Sequence, residues 1–318
     1  MKHLVICDYG VFLGLDNHRL AIKQGGETQF YPLNRLRTVT ISKRGISISS
    51  NVIQAFSSRG IKLFFLDFRG VVHAAIVSQS QHGVVAVRMA QIKFCKGDTM
   101  PLSRNIVIAK IKNQRAVLNY LYKYHRHPSL YSSAEKLLVN AGRIRQAKNI
   151  DTILGFEGAS ASTYFQSLRE AELLTSSFKK REGRGSQEIN NAMLNLGYAV
   201  LSNYILNAII NAGLEPYVGI LHSQRPGKMS LVLDLMEEYR AWVVDRTVIK
   251  LRSRSKGQES LDSDLKKLLI TEVQQTCAKK YPYRKKKLRL EHIIQRQVYR
   301  LCGHFYGENI YKPYLFKW

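Results

Sequence analysis

Between Leu231 and Asp245 the sequence sets acids inside an otherwise apolar helical pattern. Leu231, Leu235, Tyr239 and Trp242 recur at helical spacing, and Val232, Met236 and Val243 widen the stripe. Asp234, Glu237, Ala241 and Asp245 follow at steps of three and four, so on one continuous helix an acidic line runs beside the apolar face. Carboxylates in such a setting cost free energy to bury unless a cation or a donor meets them. Some other segment must therefore fold onto this helix and supply one. Two kinds of partner are open. One is the pool of Lys and Arg residues. The other is a divalent ion completed by His222, which stands just ahead of the basic turn Arg225-Pro226-Gly227-Lys228. Imidazole with carboxylates suits Mg²⁺, Mn²⁺ or a similar ion.

Charge narrows the partners. The 318 residues carry 49 Lys+Arg against 23 Asp+Glu, a formal net charge of +26. Such an excess favours a polyanion, through attraction to phosphates and release of counterions. No uninterrupted apolar run of membrane-spanning length and no basic amphipathic anchor stands out, so nucleic acid is expected and a membrane is not. The apolar run before Asp8 is too short for a secretion signal. Cys7, Cys95, Cys277 and Cys302 are widely spaced, which suits free thiols in a reducing cytoplasm rather than disulfides or a zinc site.

The pattern changes once along the chain. Residues 1–78 read as short strands, among them Leu4–Ile6, Arg19–Lys23, Val39–Ile41, Ile46–Ile48, Lys62–Leu66 and Val71–Val77, with one helix over Asn51–Arg59. Asp8 and Asp67 read as turn or cap residues. The polar stretch at 79–84 reads as a linker, and helical periodicity runs from 85 to 318. Helices are expected over Val85–Cys95, Leu102–Tyr124 and residues 132–147. His125 and His127 read as a solvated helix end rather than a metal pair. Gly155, Gly158 and small residues flank Glu157, which alone reads as a first-turn acid of the following helix. Residues 176–187 form a basic, Gly-containing loop. Ile189–Ala212 is a helix rich in Asn, with Asn190, Asn191, Asn195, Asn203 and Asn207 among them, a composition that points to buried hydrogen bonds or substrate contact. The tail from about 246 is predicted helical and basic, with Arg252 and the Lys285-Lys286-Lys287 run suited to a phosphate track. The fold class is thus α+β: a small β-rich N-terminal domain, then a larger all-α domain.

Several segments in fixed order resemble one family. They are Leu154-Gly-Phe-Glu157-Gly-Ala-Ser-Ala-Ser-Thr-Tyr164, Asn191-Ala-Met-Leu-Asn195-Leu-Gly-Tyr198, Gly213-Leu-Glu-Pro-Tyr-Val-Gly219-Ile-Leu-His222, Ser230-Leu-Val-Leu-Asp234-Leu-Met-Glu237-Glu-Tyr-Arg240 and Val244-Asp245-Arg246. The series resembles the CRISPR-associated endonuclease of spacer acquisition, the integrase subunit of the adaptation complex. Asp8-Tyr9-Gly10 and Gly60-Ile-Lys-Leu-Phe-Phe-Leu-Asp67 are similar to that family's β domain, so the likeness spans essentially the whole chain. The resemblance implies a catalytic divalent ion, Mg²⁺ or Mn²⁺, held by Glu157, His222 and Glu237, with Asp234 as a supporting or alternative ligand. It implies a helical catalytic domain and a homodimer through the β-rich one. Its partners would be protospacer and CRISPR repeat DNA, double-stranded and branched, and a second small CRISPR-associated protein. The reaction would be phosphodiester hydrolysis or strand transfer by a DNA 3′ hydroxyl. Candidates for holding phosphate are Arg225, Lys228, Arg240, Arg246, Arg252, Lys285, Lys286 and Lys287, and Tyr164, Tyr198 and Asn191 are candidates for lining the site. The competing expectation is a non-catalytic basic DNA-binding scaffold whose acids are simply paired with Lys and Arg.

Overall fold

A computed structural model describes residues 2–67, 72–78, 85–183, 185–222 and 225–317. The expected linker at 79–84 lies outside the described residues. The chain divides into two compact units, residues 1–85 and 86–318.

The first unit holds β1 (Lys2–Ile6), β2 (Phe12–Asp16), β3 (Arg19–Gln24), β4 (Glu27–Pro32), β5 (Leu36–Ile41), β6 (Ser47–Ile48), α1 (Ser50–Ser58), β7 (Lys62–Leu66) and β8 (Val72–Ile76). They make two four-stranded sheets, ordered β1-β5-β7-β8 and β4-β3-β2-β6. Strands β2, β3 and β4 form an antiparallel meander. Its two-residue turns, Asn17-His18 and Gly25-Gly26, all have positive φ, the backbone that tight hairpins of twisted strands demand. One apolar cluster joins both sheets to α1, with Leu13, Leu20, Val39, Val52, Phe56 and Leu63 at most 0% exposed. Strands β2 and β4 escape the sequence reading for physical reasons. Gly14 interrupts the first, and the second is polar and mostly exposed.

The second unit holds α2 (Val85–Lys96), α3 (Met100–His125), α4 (Pro128–Ile144), α5 (Ile150–Glu170), α6 (Ile189–Asn211), α7 (Ser230–Met236), a π-turn (Ala241–Asp245), α8 (Arg246–Lys250), α9 (Arg252–Ser255), α10 (Ser263–Ala278), β9 (Lys280–Tyr283), β10 (Lys286–Arg289) and α11 (Leu290–Phe305). Helices α3, α4 and α5 pack as one group, and α6 packs against α7, α10 and α11. The π-turn touches both α3 and α6 and ties the groups together. Helix α6 is apolar enough by length and composition to cross a membrane, with a mean hydropathy of 1.3 over its best window. That window is 67% buried, and the helix is the core of this unit.

The mixed α+β class holds, with one correction to the all-α second domain. The predicted helical tail contains an antiparallel hairpin, β9 and β10. Helix α10 stops at Ala278, and Tyr281-Pro282-Tyr283 supplies a residue without an amide donor between aromatics suited to a strand. Arg284, at φ 54°, turns the chain. His127 also differs from expectation. It opens α4, accepting from the Ser129 amide, rather than closing α3.

Candidate functional site

The helix read across Leu231–Asp245 is not one regular helix. Helix α7 ends at Met236, and the π-turn widens the backbone over Ala241–Asp245. The break after Met236 separates Asp234 from Glu237, and the extra residues per turn of the π-turn rotate Asp245 out of line with both. Asp234, Glu237 and Asp245 therefore meet three different environments.

Asp234 is wholly buried and faces the strand of chain just before the basic turn. Its Oδ2 accepts from the amides of Ile220 (2.5 Å) and Leu221 (3.1 Å). Its Oδ1 accepts from the His222 amide (3.1 Å) and lies 2.5 Å from His222 Nδ1. Gly219 makes this approach possible: a Cβ there would lie 2.5 Å from Ser230 Cβ and 2.9 Å from Asp234 Oδ2. With Nδ1–H donating to the carboxylate, the lone pair of His222 sits on Nε2, the arrangement that carboxylates impose on ligating histidines.

Glu237 and Glu157 meet at one cation. Helix α5 begins at Ile150, capped by Asn149, whose side chain accepts from the Thr152 amide at 2.8 Å. Glu157 thus stands two turns into the helix, not in its first turn. Lys110, partly buried on α3, places Nζ 2.5 Å from Glu157 Oε1 and 2.9 Å from Glu237 Oε2. Glu237 Oε1 is 3.3 Å from Arg240 Nη2, while its buried Oε2 takes no well-directed hydrogen bond. Burial alone would lower the Lys110 pKa, but the Glu237 and Glu157 carboxylates outweigh it and raise it. Burial likewise works against the Glu237 anion, and Arg240, Lys110 and His222 overcome it and hold its pKa below the usual value. Around Glu157 the helix surface is bare, with nothing within 4 Å of a Cβ placed at Gly155 or Gly158. Among the described residues no three His, Cys, Asp or Glu side chains are already gathered at metal-ligand spacing. Two carboxylates are gathered around Lys110, and His222 is fixed beside them through Asp234.

Asp245 is held elsewhere. Tyr198 Oη donates to its Oδ1 at 2.5 Å, and burial raises the Asp245 pKa to about 6 despite Tyr198 and Arg181. Arg240 and Arg181 lie 4.9 and 5.3 Å over the Tyr198 ring. Tyr164 is buried edge-on to Phe165. Asn191 is buried too, and it anchors the basic loop: it accepts from Arg181 Nη1 and the Glu182 amide and donates to the Lys180 carbonyl. Asn195 takes Arg181 Nη2 at 2.6 Å. Asn191 and Asn195, at the start of α6, are therefore held in internal hydrogen bonds. Of the predicted phosphate holders, Arg225, Lys285, Lys286 and Lys287 are exposed, Lys228, Arg246 and Arg252 half-buried, and Arg240 is engaged with Glu237 and Tyr198.

Two features escape the sequence reading. Lys110 reads as a surface lysine, because apolar periodicity does not distinguish a cation paired between two acids from a solvated one. The other is a strap formed by the C-terminal segment. Glu238, next to Glu237, accepts from Tyr311 Oη (2.5 Å) and the Tyr314 amide (2.6 Å). Asn113 on α3 donates to the Glu238 and Tyr314 carbonyls and accepts from the Phe316 amide. Phe316 stacks on Trp242 at 5.2 Å. The strap fixes the helix that carries Glu237. Burial raises the Glu238 pKa from its ordinary value of 4.5 to about 7. A raised folded-state value means stability present below the unfolded pKa and lost as pH rises through the folded one. The wild type is therefore expected to lose stability between about pH 4.5 and pH 7 relative to Glu238→Gln. Urea melts of the two proteins at pH 5 and pH 8 measure the difference, and parallel behaviour would contradict it.

Fold and site together define a two-unit α+β protein whose helical unit carries a carboxylate–imidazole centre in a strongly basic chain. The family model for "CRISPR associated protein Cas1" matches residues 4–281, and the chain belongs to that family. It is 58% identical over 318 residues to a CRISPR-associated endonuclease Cas1 of Francisella tularensis subsp. novicida, covering 100% of both chains. A Cas1 endonuclease of Pyrobaculum aerophilum is 32% identical over 316 residues, 98% of this chain and 99% of that one. Among solved structures, a casposase bound to integration product has a TM-score of 0.83 at 21% identity, covering 97% of this chain and 92% of that one. A Cas1 protein from Thermotoga maritima has a TM-score of 0.80 at 18% identity, covering 98% and 99%. At such identities the structural likeness speaks for the fold.

Proposed function

We propose that this chain is a divalent-metal-dependent DNA endonuclease and integrase of CRISPR adaptation, with Glu157, His222 and Glu237 as the ligands of the ion. The observation that carries the reading is the meeting of Glu157 and Glu237, from separate segments, on one partly buried cation, beside an imidazole whose Nδ1 is occupied by Asp234. The donor set fits Mg²⁺ or Mn²⁺: two carboxylates and one imidazole leave positions for water and phosphate. Lys110 Nζ stands in for that charge, balancing the two acids. Bound there, an ion supplies polarisation of the scissile phosphate and offsets charge on the attacking and leaving oxygens.

The chain's own residues do the rest. Asp234, committed to three backbone amides and the imidazole, orients His222 rather than acting as a ligand. Arg225 and Lys228 offer positive charge beside His222 for a phosphate backbone. The bare face of α5 at Gly155 and Gly158 leaves room for a duplex to approach Glu157. One site serves hydrolysis when water attacks and joining when a 3′ hydroxyl attacks, so the way DNA is held selects between them.

The names of the relatives support nuclease and integrase chemistry, and structural neighbours include a Cas1–DNA complex and a Cas6-RT-Cas1–Cas2 complex. A second small CRISPR-associated protein is accordingly the expected partner. Exposed Phe12, Leu15 and Phe30 on the β2–β3–β4 sheet support a homodimer through the first unit. One observation favours the scaffold reading instead: Lys110 and Arg240 already pair with both acids.

The test is incubation of the protein, alone and with the small partner, with branched DNA and linear duplex in EDTA, Mg²⁺ or Mn²⁺. Cut or joined product is expected only with metal. Tight binding without product under every condition would favour the scaffold.

A further inference from the structure

His222 differs from the other two proposed ligands in where it stands. Glu157 lies inside α5 and Glu237 directly follows α7, whereas His222 lies in irregular chain between α6 and α7. A group on a loop is held less closely than one on a helix unless packing and hydrogen bonds fix the loop. Asp234 fixes the last part of this chain through the amides of Ile220, Leu221 and His222. A second buried side chain fixes the part before it.

The buried residues of α2 are Val87 and Gln91, one turn apart on one face. An amide in such a place costs free energy unless it is hydrogen-bonded, and an apolar side chain would fill the space without that cost. Gln91 is 0% exposed and meets backbone 124 and 127 residues further on. Its Nε2 donates to the Glu215 carbonyl at 2.9 Å and to the Val218 carbonyl at 2.8 Å. Its Oε1 accepts from the Glu215 amide at 2.8 Å. Both N–H groups of the side chain are engaged. The reverse orientation would set its NH₂ against the Glu215 N–H, so the contacts fix which way the amide points. One side chain thus clasps both ends of the turn Glu215-Pro216-Tyr217-Val218. Arg88, three residues earlier on α2, adds a hydrogen bond from Nε to the Gly213 carbonyl at 3.2 Å. From α7, the Leu231 amide donates to the Pro216 carbonyl at 3.0 Å. Only Gly219 separates Val218, held by Gln91, from Ile220, held by Asp234. A Cβ at Gly219 would meet Ser230 and Asp234, so the chain between the two clasps is tightly packed.

We propose that Gln91 is a positioning residue for the reaction: by clasping this turn it sets where the His222 imidazole stands, while Asp234 sets which way the ring faces. The proposal rests on the reading of His222 as a ligand of the ion. Gln91 acts through backbone alone, along the few residues from Val218 to His222. The two buried groups therefore divide the work. Loss of the Asp234 carboxylate frees the ring. Loss of Gln91 shifts the backbone that carries the ring and leaves Nδ1–H on the carboxylate. Groups that orient a ligating histidine are typically worth about 10–100-fold in metal affinity, and Gln91, one step further from the ion, belongs at the lower end.

The test measures Mn²⁺ affinity, from the paramagnetic resonance of free Mn²⁺, and NMR spectra of isotope-labelled histidine. Both are recorded on the full chain as wild type, Gln91→Met, Gln91→Asn and Leu269→Ala. Methionine fills the space without polar contacts. Asparagine keeps a buried amide but is too short to clasp both ends of the turn, and it carries the test should the methionine variant not fold. Leu269, buried on α10, gives a cavity that lowers stability without touching the 213–222 chain. Gln91→Met is expected to weaken Mn²⁺ binding about tenfold and Gln91→Asn about threefold, with Leu269→Ala within about twofold of wild type. The His222 signal, identified by its absence from His222→Ala, is expected to move in both Gln91 variants while keeping its proton on Nδ1, and to stay in place in Leu269→Ala. A His222 signal unmoved in the Gln91 variants would overturn the proposal. So would Mn²⁺ affinity in those variants equal to that of the wild type or of Leu269→Ala. In either case Mn²⁺ binding by the wild type and its loss in His222→Ala show that the ligand reading stands without Gln91. A wild type that takes up no Mn²⁺ would overturn the ligand reading and the proposal with it.

Discussion

Asp234→Ala is expected to unfold more easily than the wild type by roughly 3–5 kcal/mol and to lose DNA chemistry at the same time. The cost comes from what the carboxylate leaves behind. The amides of Ile220, Leu221 and His222 all point at Asp234 in a fully buried setting. Each buried donor left without an acceptor costs about 1–3 kcal/mol. Alanine accepts nothing, and water reaches the gap only if the segment opens. The same change frees the His222 ring, which then has no fixed tautomer or direction. Asp234→Asn separates the two effects. An amide oxygen keeps an acceptor in place, so stability falls less, but the imidazole loses its anionic partner, and metal affinity drops about 10–100-fold. Urea unfolding with midpoint and slope read separately measures the first effect. A loss below about 1 kcal/mol in Asp234→Ala would mean the three amides find other acceptors.

His222→Ala is expected to do the reverse. Removing the imidazole leaves Asp234 with its three backbone donors, so the fold is satisfied. The side chain is only partly buried, at 23% exposure, and little packing is lost. Chemistry is another matter. If His222 is a ligand of the ion, as proposed, its loss removes several kcal/mol of transition-state stabilisation, and 4 kcal/mol is about a thousandfold in rate. Metal-dependent cleavage and joining are therefore expected to fall about a thousandfold or more, with duplex affinity within about threefold of wild type, because phosphate contacts set that affinity. The gel assay on branched DNA, with binding measured in EDTA, reads both quantities. Full activity in this variant would remove His222 from the site. The two substitutions break the same 2.5 Å contact from opposite sides and differ because only one side carries the backbone.

Much of this was legible in residue order. The change from two-residue to helical periodicity placed the β-rich and helical regions. Buried acids on an apolar helix announced that a cation or donor must meet them, and the structure supplies Lys110, Arg240, Tyr198 and three amides. What sequence could not show follows from distance. Lys110 and Asn113 lie more than a hundred residues from Glu237 and Glu238, and their periodicity is that of any helix. The choice between Asp234 and Glu237 depends on which carboxylate the Ile220–His222 backbone reaches, a matter of the turn at Gly219. The break after Met236 and the π-turn at Ala241–Asp245 have no propensity signature, yet together they turn a predicted acidic line into three separate sites. The β9–β10 hairpin was hidden by a run of lysines that fits helix and strand alike, with Pro282 as its one visible mark.

The central claim is that Glu157, His222 and Glu237 hold one divalent cation while Asp234 only orients the imidazole. Diffraction from Mn²⁺-soaked crystals of the protein, with data collected at the manganese edge, tests it most directly. The account predicts an anomalous peak contacted by Glu157, Glu237 and His222 Nε2, with Lys110 Nζ displaced from between the two carboxylates and Asp234 still on its amides. A peak on Asp234, or crystals that take up no manganese while Lys110 keeps both acids, would contradict it.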